Sequence, residues 1–187
     1  MPPLDEDKII KSWVGLSNVY IGRGTYWHTT TEFLTYIEEE EIHVGRYCSI
    51  APKVVIATGG EHYLDKVSTY PFDNLLLHAS NPTRSYRRKP NTRIGSDVWV
   101  GQGAHILGGC TVGHGAVIGA KSVVSRDIPP FSIVVGNPST IIRRRFKEKI
   151  CNDLLEISWW NWPADKIRRY QEDFNLDPEE FILKHKA

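Results

Sequence analysis

The chain has 187 residues, of which 41% are hydrophobic and 24% are charged, and its formal net charge at pH 7 is +1. This composition is ordinary for a globular protein with one core-bearing domain and a modest appendage. A net charge so close to zero argues against nucleic-acid or membrane partners recruited by bulk electrostatics. No apolar run is long enough to span a bilayer, and the N-terminus lacks the apolar block of a signal peptide, so we expect a cytoplasmic protein.

The N-terminal segment predicts a short helix. Over residues 1–16, a helix would place Ile9, Ile10 and Trp13 on one face, as in an amphipathic element. We expect this helical cap to lie over one end of the repeats that follow, where it would cover strand edges that otherwise invite aggregation.

A repeat of six residues dominates the region 17–137. Branched apolar residues recur at every sixth position, at Ile94, Val100, Ile106, Val112, Ile118 and Val124. A second set follows four places later, at Val98, Ala104, Cys110, Ala116 and Ser122. A period of six fits neither a helix nor an alternating strand. It predicts an all-β solenoid in which short parallel strands of successive coils stack around one narrow core.

The repeat is interrupted twice. It is present at Val44, Ile50 and Ile56 but absent between Trp27 and Glu41. Residues 60–91 then form a long excursion, which includes His62 and a basic string at Arg84, Arg87, Arg88 and Lys89. Long excursions from a regular scaffold are usually functional or disordered. The aromatic and apolar content of this one favours packing against a neighbouring subunit, although the basic string can equally be a solvated face.

Residues 138–187 predict a helical tail. A turn at 136–138 precedes a helix over 141–157, in which apolar residues lie near helical spacing. The sequence WWNWP at 159–163 interrupts the helices, and a second helix is predicted over 164–174. Asp177 as N-cap, followed by Pro178, predicts the start of the last helix.

Four segments together resemble the xenobiotic acetyltransferases, a family of hexapeptide-repeat acyltransferases that includes the streptogramin and type B chloramphenicol acetyltransferases. They are GEHYLDKVSTYPF (60–72), RIGSDVWVGQGAHILGG (93–109), VVGNPSTIIRRRF (134–146) and WWNWP. The resemblance implies a left-handed parallel β-helix with a protruding loop and C-terminal α-helices. It also implies acetyl-CoA as acetyl donor, a small hydroxylated acceptor, and a homotrimer with active sites between subunits.

His62 aligns with the catalytic histidine of this family. An imidazole with a near-neutral pKa can take a proton from an acceptor hydroxyl, whose oxygen then attacks the acetyl thioester directly. The alternative is a surface loop histidine without a catalytic role. Backbone N–H groups of the adjacent coil are expected to stabilise the tetrahedral intermediate, with Gly101 and Gln102 as candidates.

The resemblance also assigns residues to the acetyl-CoA groove. Trp99 would flank the acetyl and pantetheine arm, and Arg143, with Arg144 as an alternative, would approach phosphate. The remaining candidates along the groove are Gln102, Ala120, Ser125 and Arg126. One departure from the family is Glu61, which stands where drug-modifying members commonly have Asn; it could orient His62, raise the pKa of His62, or face solvent.

The sequence therefore predicts an acetyl-CoA-dependent O-acetyltransferase, with an antibiotic or a sugar as acceptor and no metal. A hydratase resembling γ-carbonic anhydrase is a remote alternative, because that class needs two zinc-binding histidines five residues apart. No histidine pair here has that spacing. A scaffold that has lost its chemistry is the third possibility.

Overall fold

The computed structural model describes residues 6–12, 18–72, 86–87 and 89–186, with only the backbone of Tyr86. Strands within these residues form three main sheets. Sheet A contains β1 (Lys8–Lys11), β2 (Asn18–Ile21), β5 (Ile42–Val44), β10 (Thr92–Ile94) and β13 (Thr111–Val112). Sheet B contains β3 (Tyr26–Trp27), β6 (Ser49–Ile50), β11 (Trp99–Val100), β14 (Val117–Ile118), β16 (Ser132–Val135) and β17 (Thr140–Arg144). Sheet C contains β4 (Glu32–Leu34), β7 (Val55–Ala57), β12 (His105–Ile106) and β15 (Val123–Val124).

The chain visits the sheets in turn, so that each coil adds one strand to A, B and C. Trp99 pairs in parallel with Val117 of the next coil, three six-residue repeats later, and His105 pairs with Val123 in the same way. Each corner of the coil is named after the two sheets that it joins, which gives the A/B, B/C and C/A corners. The six-residue period thus gives stacked coils of short parallel strands, as predicted, and the coils have one sheet on each of three faces.

The predicted inward residues form the core. All six branched residues from Ile94 to Val124 are at most 3% exposed, and the second set is buried beside them. β-Branched side chains suit stacked strands, and burial of each contributes roughly 1.5–3 kcal/mol. Cys48 and Cys110 lie in this core as free thiols.

The N-terminal prediction is wrong where the structure describes it. Residues Lys8–Lys11, expected in a helix over 1–16, form β1, which pairs antiparallel with β2 at the end of sheet A. The exposed edge of β2 offers backbone hydrogen bonds to an extended partner, and this outweighs the helical spacing of Ile9 and Ile10. Trp13 lies outside the described residues.

The start of the helical tail is also corrected. Residues 141–144, expected at the beginning of a helix, belong to β17, which is antiparallel to β16. The predicted turn is present, with Gly136 at φ 101° and a cis peptide bond between Asn137 and Pro138. This turn folds the chain back along the open edge of β16, where Thr140, Ile141 and Ile142 suit a strand.

Helices follow β17 as expected. They are α1 (Glu148–Ile157), a 3₁₀ turn (Trp159–Asn161), α2 (Ala164–Arg169), a second 3₁₀ turn (Gln171–Asn175) and α3 (Pro178–His185). Asp177 caps α3, since its Oδ1 accepts from the backbone N–H of Glu179 at 2.9 Å. None of the helices in the described part of the chain has the length and apolar character that a bilayer-spanning segment needs.

An aromatic core joins these helices to the A/B corner. It includes Trp160, 2% exposed, whose ring stacks on His114 at a centroid distance of 4.7 Å. The backbone N–H of Ser96 donates to Nδ1 of His114 at 2.8 Å. Burial lowers the pKa of His114 below its usual 6.5. His114 is therefore a structural, neutral histidine.

We predict that His114 makes stability depend on pH. Because its folded pKa is depressed, the unfolded chain binds the proton first as the pH falls. Its contribution is fully present above the pKa of free imidazole and is lost as the pH drops toward the folded value. His114→Phe keeps the stacking but does not titrate. From about pH 7.5 to about pH 5, its melting temperature should therefore fall less than that of the wild type, by about 2 °C.

Differential scanning fluorimetry across this range measures the effect. His28→Phe, at an exposed imidazole, is the control and should melt with the wild-type slope. Equal slopes for the wild type and His114→Phe would contradict the assignment.

Candidate active site

His62 lies on a short hairpin that leaves the C/A corner. It belongs to β8 (Glu61–His62), which pairs antiparallel with β9 (Tyr86–Arg87). The hairpin follows β7 of sheet C, and the chain returns into β10 of sheet A. The chain therefore leaves the coil and re-enters it at one corner, and the parallel ladders stay intact.

A backbone carbonyl orients the His62 ring. Nδ1 lies 2.6 Å from the carbonyl oxygen of Thr69. A carbonyl can only accept, so the proton is on Nδ1 and the neutral ring carries its lone pair on Nε2. A histidine held in this tautomer has the form that a general base needs.

Glu61 points to the returning strand of the excursion. Its carboxylate forms an ion pair with Nζ of Lys89, and its backbone lies opposite Arg87. The Lys89 side chain in turn lies against Gly109, where an added Cβ would come within 3.2 Å of it. Glu61 thus ties the two sides of the hairpin together at the C/A corner.

Trp99 lies on the outer face of sheet B. Its side chain is 58% exposed and borders a cavity of about 430 Å³ that is also lined by Tyr47, Asp97 and Arg145. Arg145 Nη1 lies 2.9 Å from Asp97 Oδ2. Burial raises the pKa of Asp97, and the Arg145 guanidinium acts against this shift.

The Asp97–Arg145 pair was not found from the sequence. Its members are far apart in the chain, and they meet because Asp97 sits at the A/B corner with φ 59° while Arg145 follows β17. Arg145 also donates to the Gly115 carbonyl oxygen at 2.9 Å. The available signal was the run of three arginines at 143–145, of which only Arg143 and Arg144 were predicted to have a role.

The predicted acetyl-CoA residues fall into two groups. Trp99 and Arg143 lie in one cross-strand row of sheet B, because paired residues connect them through Val117 and Ile133. Gln102 and Ala120 follow at the B/C corner, on successive coils, and the Gln102 carbonyl oxygen accepts from the Lys121 N–H at 2.9 Å. All four side chains are exposed.

The second group lies at the C/A corner. Ser125 and Arg126 directly follow β15 and are exposed. They share this corner with the His62 hairpin, two coils away along the same edge. A single chain therefore presents His62, Ser125 and Arg126 on one side, and Trp99, Gln102, Ala120 and Arg143 on another.

One predicted oxyanion donor is already engaged. The Gly101 N–H donates to the Ile118 carbonyl oxygen at 2.8 Å as part of the ladder between coils, so Gly101 is not an available donor. Gln102, one residue further along the corner, stays a candidate. In the segments that the structure describes, no group of three or more His, Cys, Asp or Glu side chains is arranged to hold a metal ion.

Comparison with known proteins agrees with the six-residue coil. Residues 91–126 match the family model described as bacterial transferase hexapeptide (six repeats). Chloramphenicol acetyltransferase from Escherichia coli is 33% identical over 176 residues, which cover 86% of this chain and 84% of that protein. The chain belongs to the xenobiotic acetyltransferase family. It is accordingly an acyltransferase.

Further relatives extend this range. A probable macrolide acetyltransferase from Lysinibacillus sphaericus is 36% identical over 132 residues, which cover 68% of this chain and 73% of that one. Among solved structures, a polySia-specific acetyltransferase superposes with a TM-score of 0.54 and 29% identity. The match covers 76% of this chain and 62% of that structure. The proteins that are similar to this chain are thus named after chemically different acceptors.

Proposed function

We propose that this xenobiotic-family enzyme is an acetyl-CoA-dependent O-acetyltransferase in which His62 is the general base. The observation that supports the proposal is the hydrogen bond between His62 Nδ1 and the Thr69 carbonyl oxygen, because in the neutral ring it places the proton on Nδ1 and the lone pair on Nε2. Nε2 removes the proton from an acceptor hydroxyl as its oxygen attacks the thioester carbonyl. Collapse of the tetrahedral intermediate expels the CoA thiolate, which takes the proton from His62.

The burial of the three cysteines favours direct transfer of the acetyl group, without a covalent acetyl-enzyme. A nucleophilic cysteine needs an exposed thiolate of lowered pKa. Cys48, Cys110 and Cys151 are all buried. Burial raises the pKa of all three thiols, that of Cys48 to about 12.

We further propose that each active site is shared between subunits of a homotrimer built on a left-handed β-helix. Support comes from the outer face of sheet B, where Trp99, Val117 and Ile133 form an apolar row between Ser49 and Arg143. The exposed Val135 lies beside Ile133 on the same face of β16. The matching row on sheet A is polar: Tyr20, His43, Arg93 and Thr111. Apolar faces of this kind mark subunit contacts. A neighbour on sheet B would bring its C/A corner, with His62 and Arg126, beside Trp99.

In this arrangement acetyl-CoA is held by residues of two subunits. Trp99 would flank the thioester, and Arg143, three strand spacings or about 14 Å further along sheet B, would meet phosphate. Gln102 and Ala120 would border the arm, and the neighbour's Ser125 and Arg126 would close the groove.

We propose that the acceptor is a small hydroxylated molecule, which is either an antibiotic or a sugar. An antibiotic follows from the names of the curated relatives. A sugar is favoured by the indole of Trp99 beside the Asp97–Arg145 pair, since an aromatic face with flanking charged hydrogen-bonding groups suits a polyhydroxylated ring.

His62→Ala is predicted to abolish acetyl transfer, with a loss of about 10³-fold or more in kcat, while acetyl-CoA binding stays near the wild-type level. Thiol release from acetyl-CoA with a panel of antibiotic and sugar acceptors measures turnover, and calorimetry measures binding. His28→Ala is the matched control, because His28 is exposed and bonds to Thr30 two residues away. Substantial turnover by His62→Ala would refute the general-base assignment.

Arg143→Gln is predicted to raise the KM for acetyl-CoA about tenfold, because a charge-assisted bond to phosphate is lost. The KM for S-acetylpantetheine, which has no phosphate ester, should not change. Arg93→Gln removes an equally exposed cation from the outer face of sheet A and should leave both values at the wild-type level. An equal rise for both donors would place Arg143 outside the phosphate site.

Val117→Asp is predicted to dissociate the trimer and to abolish turnover, because it introduces a charge into the apolar row of sheet B. Light scattering coupled to size-exclusion chromatography measures the mass, with Thr111→Asp on the outer face of sheet A as the control. A monomer that keeps full activity would refute a site shared between subunits.

A further inference from the structure

The segment without the six-residue repeat contains a buried carboxylate. Glu40 is 5% exposed and lies beneath the C/A corner from which the His62 hairpin departs. Its Oε2 accepts from the Thr58 hydroxyl at 2.5 Å and from the Tyr36 N–H at 3.0 Å. We call this group of Glu40, Tyr36 and Thr58 the Glu40 clamp.

The clamp explains the two glycines that precede Glu61 and His62. An added Cβ at Gly59 would collide with Glu40 Oε1, and one at Gly60 would come within 2.6 Å of the Tyr36 ring. Gly60 also has φ +77°, a conformation that favours glycine. The backbone that leads to His62 therefore rests directly on the clamp.

The adjacent glutamate anchors the returning end of the excursion. The Glu41 N–H donates to Asn91 Oδ1 at 3.1 Å, and Asn91 Nδ2 donates to Glu41 Oε2 at 3.2 Å. The same carboxylate oxygen lies 2.9 Å from His43 Nε2. Consecutive residues of one segment thus fasten both ends of the excursion to the coil.

We propose that Glu40 is a positioning residue for His62, an inference that rests on the proposed general-base role of His62. Only Gly59, Gly60 and Glu61 separate Thr58 from the histidine, so the hold on Thr58 and Gly59 sets where the imidazole stands relative to the thioester. A displacement of about 1 Å in such a group can reduce a rate about 10²-fold. Glu40 touches no reacting atom, and its effect is exerted through the backbone.

The test is a double-mutant cycle between Glu40 and Gly59. Glu40→Ala should lower kcat about 10- to 100-fold with less than a twofold change in the KM for acetyl-CoA, because the proposed donor residues of the same corner, Ser125 and Arg126, lie two coils away. Gly59→Ala, which forces the carboxylate aside, should have the same effect in the wild-type background. In the Glu40→Ala background the collision partner is gone, and Gly59→Ala should add less than a threefold loss.

Two further variants separate positioning from a loss of stability. Glu40→Gln keeps an acceptor oxygen for both donors and should restore kcat to within about threefold of the wild type. Asp153→Ala removes a carboxylate that is also 5% exposed, but in the helical tail, where it binds Lys149. It should lower the melting temperature without changing kcat.

Each outcome has one meaning. Wild-type kcat in Glu40→Ala, or strictly additive losses in the cycle, would overturn the inference while His62→Ala remains inactive. Turnover by His62→Ala would instead overturn the proposed function. If Glu40→Ala does not fold, as judged by circular dichroism, Gly59→Ala and Glu40→Gln decide the matter, because the clamp requires a fall in kcat for the first and near-normal kcat for the second.

Discussion

The parallel ladder between coils is the constraint on which the rest of this protein depends. A repeat of six places every outward residue in a fixed row on one of three faces, since the inward Ile and Val residues permit a single register. The row on sheet B is apolar around Trp99, whereas the row on sheet A is polar around Arg93. The residues between the core positions thus decide the chemistry of each face. A shift of the strand register by one residue would destroy the row on sheet A and the row on sheet B.

The same register separates the parts of the proposed active site. His62 and Arg126 lie at the C/A corner, whereas Trp99 and Arg143 lie in a row of sheet B. No rearrangement of one coil can bring these groups together without breaking the ladder hydrogen bonds. A second copy of the chain can unite them at no cost to either core, and its contact would also cover the apolar row. Assembly and catalysis therefore have one physical origin in the proposed enzyme.

The sequence predicts those features that arise from short-range periodicity. The inward residues from Ile94 to Val124, the turn at Gly136 and the cap at Asp177 each depend on residue type within a few positions. The sequence does not predict a strand that forms on an edge provided by a distant part of the chain. Residues 8–11 belong to a segment whose apolar residues fit one helix face, and Ile141 and Ile142 begin a second such segment. However, β2 and β16 present open edges that only the folded coil creates. The Asp97–Arg145 ion pair was not predicted for the same reason, since its two polar residues come into contact only at the A/B corner of the folded chain.

Glu40 shows how such distant contacts shape the site. In the sequence it is one of four consecutive glutamates, with the composition of a solvated turn. Folding buries it under the corner from which the hairpin departs. Gly59 and Gly60 reflect this burial in the sequence, because a Cβ at either position would collide with the Glu40 clamp. Segments without the repeat are inserted at corners, so they can change in length and composition while the ladders persist. A fold of this kind can therefore alter the surroundings of His62, and with them the proposed acceptor, without altering the core beneath the proposed donor groove.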